Sequence, residues 1–268
     1  MVPHVVEKHG NEVSYWDAVG VEWTKRQRDT LWRQHSDFVN CSLYSRWLGS
    51  ARYDRILKTD LFDEATTGGL LPAVRHACKR VVGMDISGLV VAIAEQRVKI
   101  EGLCADVRTL PFPDESFDVV LSNSTLDHFE EFADLVRALN ELCRVLRQSG
   151  ELWVTLDNLS NPLVAIRNRL PFRFLQSLGL VPYYVGKTCG QAKFVQTLDE
   201  AGFDVVEMGA VLHCPRPLSV PLTRIAERYG GPAMQRGLLR LLAGFERAGN
   251  WPTKFRTGYF LCARAVKR

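Results

Sequence analysis

This chain has no apolar run longer than Leu89 to Ala94, far short of the roughly 18 residues that cross a bilayer. Its first stretch, Met1 to Glu12, holds no apolar segment, so no secretory signal is expected. The seven cysteines (41, 78, 104, 143, 189, 214 and 262) are scattered and never spaced C-x-x-C. That pattern argues against a disulfide scaffold or a zinc knuckle and for a reducing cytoplasm. There is no G-x-G-x-x-G, the turn that a nicotinamide dinucleotide site requires. Lysines and arginines form no dense cluster and do not interleave with aromatic residues, so no nucleic-acid partner is expected. His4, His9, His76 and His213 show no ligand spacing, so no metal is expected either.

What is present is a globular composition, 46% hydrophobic and 24% charged over 268 residues. That is enough for one large α/β domain or two small ones. The net charge of +4 is unevenly placed: residues 157–268 carry 16 Lys/Arg and 7 Asp/Glu, and residues 1–156 carry 18 and 23. A basic half can serve an acidic substrate, nucleic acid or a membrane surface. Because the arginines are dispersed, the plainer reading is solvated helices, with no stable membrane insertion. Residues 1–50 read as a helical N-terminal cap, and four of the six tryptophans lie there (Trp16, Trp23, Trp32 and Trp47).

From Asp54 the pattern alternates strand and helix. Strands are expected at Arg55–Asp60, Arg80–Asp85, Gly102–Asp106, Phe117–Ser122 and Glu151–Leu156. Helices are expected at Leu70–Lys79, from Ser87 as N-cap to Arg97, and from Phe129 to Leu146 with Gly150 as its C-cap. Such a rhythm predicts a doubly wound, mostly parallel sheet in residues 51–268. Beyond Asp157, a helix interrupted by Pro171, a helix at Gln191–Ala201, a strand at Phe203–His213 and a closing strand at Thr257–Ala265 are expected. Residues 158–190 and 215–254 stand outside the alternation as additions.

Three expected strands end on an acid: Asp60, Asp85 and Asp106. In an open parallel sheet, ligands bind beyond the carboxyl ends of the strands. A carboxylate after the second strand can accept hydrogen bonds from both hydroxyls of a ribose. One after the third can accept from an exocyclic amine, and Ile86 can pack on a base. Together the three describe an adenosine site.

These stretches resemble the class I S-adenosylmethionine-dependent methyltransferases. The resemblance rests on Val81-Val-Gly-Met-Asp-Ile-Ser87, on Ala105-Asp-Val-Arg-Thr-Leu-Pro-Phe-Pro-Asp-Glu-Ser-Phe-Asp-Val-Val-Leu-Ser122 and on the stretch from Leu142 to Thr155. It implies a seven-stranded sheet with a reversed last strand, and S-adenosylmethionine as cosubstrate. It also implies that Asp85 binds the ribose, that Ile86 flanks the adenine, that Asp106 and the Val107 amide read the adenine edge, and that Asn123 lies near the methionine part. The family's glycine-rich turn after the first strand reads here Asp60-Leu-Phe-Asp-Glu-Ala-Thr-Thr-Gly-Gly69. Asp60 and the amides near Gly68 and Gly69 are expected to face the methionine moiety.

Methyl transfer from a sulfonium needs the acceptor held in line, about 3 Å from the methyl carbon. For a hydroxyl acceptor a general base helps. His128 is the candidate, with the His35/Asp37 pair second, and Tyr15, Tyr183 and Tyr184 are candidate pocket walls. The expected function is methyl transfer to a small molecule, with oxygen on a sugar or natural product as acceptor. The alternative is a catalytically silent S-adenosylmethionine-binding or scaffold protein, motivated by the altered glycine turn. An RNA acceptor is disfavoured, because Asn123-Ser-Thr-Leu126 stands where Asn/Asp-Pro-Pro-Tyr/Phe would be needed.

Overall fold

Strand and helix alternate as the apolar periodicity requires. The computed structural model describes residues 12–26, 29–177, 181 and 183–268; His4 and His9 lie outside them. Two helices come first, α1 (Glu12–Arg26) and α2 (Thr30–Leu48). The first half of the sheet follows: β1 (Tyr53–Lys58), α3 (Phe62–Thr66), α4 (Leu71–Val74), β2 (Cys78–Asp85), α5 (Gly88–Val98), β3 (Glu101–Cys104) and β4 (Phe117–Asn123). After it come α6 (Phe132–Val145), β5 (Leu146–Asp157), α7 (Pro162–Arg169), α8 (Phe172–Ser177), α9 (Gln191–Glu200) and β6 (Phe203–Val211). The chain closes with α10 (Arg216–Tyr229), α11 (Pro232–Gly244), α12 (Lys254–Thr257) and β7 (Phe260–Lys267).

The seven strands form one sheet in the order β3-β2-β1-β4-β5-β7-β6, in which β7 runs antiparallel to both its neighbours. This is the doubly wound sheet with a reversed last strand. β1 and β4 pair in parallel at its centre, where the strand order reverses, so their carboxyl ends mark the switch-point crevice.

Each face is covered by its own apolar layer. On one side α6 and α9 seal the sheet, and Leu135, Leu139, Leu142 and Val145 of α6 are wholly buried. Each such side chain contributes about 1.5–3 kcal/mol. On the other side the second half of α2 packs down. Tyr44 stacks on Trp153 of β5 with ring centres 6.0 Å apart, and Trp47 meets the same indole edge-on at 6.1 Å. The aromatic N-terminal segment is therefore partly core.

Several boundaries differ from the sequence expectation. The helix at Leu70–Lys79 is cut to α4 and one tight turn, because Cys78 already pairs with Tyr53 of β1. Gly150 does not cap α6. The chain turns extended at Leu146, which pairs with Phe117, and Gly150 lies within β5. β3 ends at Cys104, so Asp106 stands two residues past the strand.

Candidate active site

Beyond the carboxyl ends of β1, β2, β4 and β5 and the loop after β3 lies a cavity of about 430 Å³. This is within the usual range for small-molecule sites. Thr59 and Asp60 enter it from β1, Met84, Asp85 and Ile86 from β2, and Ala105, Asp106 and Val107 from the β3 loop. Asn123, Ser124 and Thr125 enter from β4. Of the expected site residues, Asp60, Asp85, Ile86, Asp106, Val107, Asn123 and His128 all line this one space.

Asp85 is fixed by two backbone donors. Its Oδ2 accepts from Leu61 N at 3.0 Å and its Oδ1 from Ser87 N at 2.9 Å. Burial holds its carboxyl above the ordinary value despite both bonds. A carboxylate offers about four acceptor sites, so two remain for a ligand. Ser87 also caps α5, accepting from Val90 N at 3.1 Å, and its hydroxyl bonds Asp17 of α1. Asp106 is more engaged. Arg108 reaches both its oxygens through Nε, at 3.0 Å each, and its Oδ2 through Nη2 at 2.6 Å, while Glu12 and Asp134 hold the same guanidinium. These bonds hold the Asp106 carboxyl below its usual value against the effect of burial.

Gly68 and Gly69 do not line the cavity. The segment after Asp60 folds at once into α3, and this short helix presents Phe62 and Asp63 to the cavity in place of a glycine turn. Gly69 takes φ +66°, and a Cβ there would stand 2.5 Å from Oε1 of the buried Glu64. Its smallness thus serves the packing of Glu64. Lys58, which sequence reasoning overlooked, organises this corner. Its ammonium lies 2.9 Å from Glu64 Oε2, 3.2 Å from Asp60 Oδ1 and 2.6 Å from the Asp60 carbonyl oxygen. Burial alone would lower the Lys58 ammonium, but Asp60, Glu64 and Asp63 together raise it above its ordinary value.

The wall near β1 is acidic. Asp63 pairs with Arg33 at 3.2 Å, and Arg33 stacks over Trp23 at 4.3 Å and Phe62 at 4.8 Å. Burial and the charge of Asp63 push Asp37 up to about 7, and burial pushes Asp60 to the same value against the pull of Lys58. Asn123 is a hub: its Oδ1 accepts from Tyr44 Oη at 2.9 Å and Thr155 Oγ1 at 3.0 Å, and its Nδ2 donates to Asp63 at 3.4 Å. Ser124, at φ 51°, turns the chain sharply after β4.

His35 and Asp37 do not act as a pair. His35 faces the interior with Nε2 3.5 Å from Cys214 Sγ, whereas Asp37 faces the cavity. Burial lowers the His35 imidazole to about 4. Tyr15 lies behind the cavity wall, where its hydroxyl accepts from Tyr184 N, and burial pushes that hydroxyl up to about 12. Tyr183 lines the cavity, whereas Tyr184 packs on Phe172. His213 is held in the interior by Thr257 and the Ala210 carbonyl. Among the described residues, no group of three His, Cys, Asp or Glu is arranged to hold a metal, and no helix is long and apolar enough to cross a membrane.

His128 stands opposite the acidic wall. Its Nδ1 is 3.0 Å from the Tyr184 carbonyl, which only accepts, so Nδ1 carries the proton. Its Nε2 is 3.9 Å from Asp127, which is fully buried. Further out, Asp157 pairs with Arg167 at 2.7 Å, and Arg167 donates to Tyr259 Oη at 2.9 Å. Arg216, at the start of α10, stacks over Tyr259 at 4.9 Å and faces the same space. Arg167 and Arg216 carried no signal in sequence, because the 158–190 and 215–254 additions meet the sheet only in three dimensions.

Comparison with known proteins agrees with this geometry. Residues 65–154 match the model of a methyltransferase domain family. Over 175 residues, 65% of this chain, it is 29% identical to a Mycobacterium tuberculosis protein named a probable S-adenosylmethionine-dependent methyltransferase. Over 102 residues, 35% of this chain, it is 42% identical to a Thermus thermophilus demethylmenaquinone methyltransferase. The matches span 56% and 45% of those two relatives, so the chain covers about half the length of the curated proteins it matches. Among solved structures, the methyltransferase bound to the Haloferax volcanii Trm112 activator superposes with a TM-score of 0.59 at 18% identity, covering 96% of this chain and 98% of that one. Matched domain, relatives and sheet topology agree that residues 65–154 match a methyltransferase domain and that the chain is similar to the S-adenosylmethionine-dependent methyltransferases.

Proposed function

We propose that the chain transfers the methyl group of S-adenosylmethionine to a small-molecule acceptor, with oxygen on a sugar or natural product as the acceptor atom. The observation that carries this reading is Asp85, fixed by two backbone donors at the mouth of β2 with acceptor sites left over. Asp85 would hold the ribose, and Ile86 and Val107 would flank the adenine. Asp60, Asp63 and Asn123 would hold the amino-acid end, where negative charge suits an ammonium and a sulfonium. When bound there, the cosubstrate supplies an electrophilic methyl group.

The chain's own residues do the rest. The half-cavity bounded by Trp16, Trp32, Tyr183 and Tyr259 holds and orients the acceptor and keeps water away. His128, with its lone pair on Nε2, takes the acceptor's proton, and the Asp127 carboxylate stabilises the imidazolium that forms. The N-terminal cap and residues 158–190 and 215–254, which contribute most of that half-cavity, carry acceptor choice.

The test is calorimetry with S-adenosylhomocysteine. Asp85→Ala removes two carboxylate bonds of roughly 1.5–3 kcal/mol each, so affinity should fall by at least about a hundredfold. Unchanged affinity would overturn the ribose assignment. A silent binding protein is the second reading, favoured by the absence of Gly68 and Gly69 from the cavity. It predicts tight binding with no S-adenosylhomocysteine formed from any acceptor in a broad screen.

A further inference from the structure

The additions that flank the cavity mouth expose more apolar surface than their packing uses. On α10, Leu218, Leu222, Ile225 and Tyr229 are between 50% and 74% exposed. Their spacing, i, i+4, i+7 and i+11, places them on a single stripe. At about 100° per residue, that stripe lies roughly a third to a half of a turn from Pro217, Arg224 and Val220, which line the cavity. Across the mouth, Leu163, Ile166 and Leu170 line the same cavity and are also exposed to solvent. Exposed apolar side chains thus stand both on the rim of the site and on a second face of α10, a helix that lines it.

Charge accompanies it. Residues 158–190 contain four lysines and arginines and no carboxylate, and residues 214–254 contain seven against two. Arg169, Arg228, Arg236 and Arg240 are exposed, and among the described residues none of them has an ion-pair partner. Unneutralised arginines thus accompany exposed apolar side chains on α7, α10 and α11.

We propose that this face docks on an anionic lipid bilayer surface, with the cavity mouth turned toward it. The apolar stripe would enter the boundary between headgroups and acyl chains, and the arginines would meet lipid phosphates. Charge selects this occupant. A second copy of the chain would set arginine against arginine, and a nucleic acid would find one ring, Tyr229, among three aliphatic side chains where a run of stacking rings is needed. The basic excess of residues 158–190 and 214–254 would then lie at the membrane.

Sedimentation of the full chain with phosphatidylcholine vesicles, with and without phosphatidylglycerol, tests this. Binding should favour the phosphatidylglycerol vesicles by about tenfold or more and weaken as salt is added. Leu222→Glu with Ile225→Glu should abolish binding while S-adenosylhomocysteine affinity, measured by calorimetry, stays at the wild-type value, since neither residue lines the cavity. Arg228→Gln with Arg240→Gln should remove the preference for phosphatidylglycerol, which keeps the test valid if the first variant misfolds. Equal binding by wild type and both variants, or no binding at low salt, overturns the proposal. So does light scattering that shows a dimer converted to a monomer by the Leu222/Ile225 variant, or tighter binding to RNA than to vesicles. The vesicle result does not depend on the methyl-transfer reading, because it is read without cosubstrate.

Discussion

Lys58 and Glu64 form an ion pair at 2.9 Å in which the two side chains are 1% and 0% exposed. It stands at the point where β1 hands over to the cavity. Buried pairs of this kind add little net stability, but removing one partner leaves a charge with no compensation. Lys58→Met should therefore destabilise the fold by about 3–5 kcal/mol in urea denaturation. Lys58→Met with Glu64→Gln should recover part of that loss, since the glutamine can still accept from Leu70 N as Glu64 does at 2.8 Å. A double variant no more stable than Lys58→Met would mean that the charge on Glu64 is not what makes the single change costly.

Gly69→Val should act through the same pair. The substitution forces a β-branched residue into positive φ and drives its Cβ onto the Glu64 carboxylate. A stability loss of about 1–3 kcal/mol is expected, with S-adenosylhomocysteine affinity following stability. Weakened affinity at unchanged stability would instead show that this turn touches the ligand directly.

Cosubstrate affinity should rise with pH. Asp37 and Asp60 are held near 7, chiefly by burial, so a cationic ligand meets a partly protonated wall in mild acid and an ionised one in mild base. S-adenosylmethionine should bind about three- to tenfold more tightly at pH 8 than at pH 5.5, by titration calorimetry. In Asp37→Asn the pH dependence should flatten. A flat wild-type profile would place the cation away from this wall.

His35 should make the fold acid-sensitive. Its imidazole is lowered from 6.5 to about 4 by burial, so the unfolded chain binds the extra proton between those values and stability falls as pH drops through that window. The full loss amounts to about 3 kcal/mol. The raised carboxyls of Asp37 and Asp60 work oppositely, since they favour the folded form as pH falls toward 4. Comparing wild type with His35→Gln in melting experiments from pH 7 to pH 4 isolates the histidine. The difference between the two should shrink with acid in favour of the variant.

Much of the sheet was legible because its strands are short apolar runs between helix signals, and Asp85 was legible because an acid ends one such run. Gly68 and Gly69 were misplaced for a physical reason. Residues 62–66 form α3 with Glu64 buried against Lys58, a contact that local pattern does not announce. His35 and Asp37 looked like a pair because only Ser36 separates them in sequence. Two residues apart on a helix, they point in different directions, one to Cys214 and the other to the cavity. Arg167 and Arg216 had no sequence signature at all, since the additions that carry them reach the site only by packing across β7 and α2.

The carboxylate wall of Asp37, Asp60 and Asp63 does not treat a donor and its spent form alike. Under the proposed reaction the sulfur arrives positively charged and leaves as a neutral thioether. Negative groups beside it favour the arriving form, so a fresh donor displaces the used one more readily than the reverse. The cluster that sets affinity thereby also gives the exchange a direction: each turnover discharges the sulfonium and leaves only the ammonium, so the spent molecule is held less tightly than the fresh one.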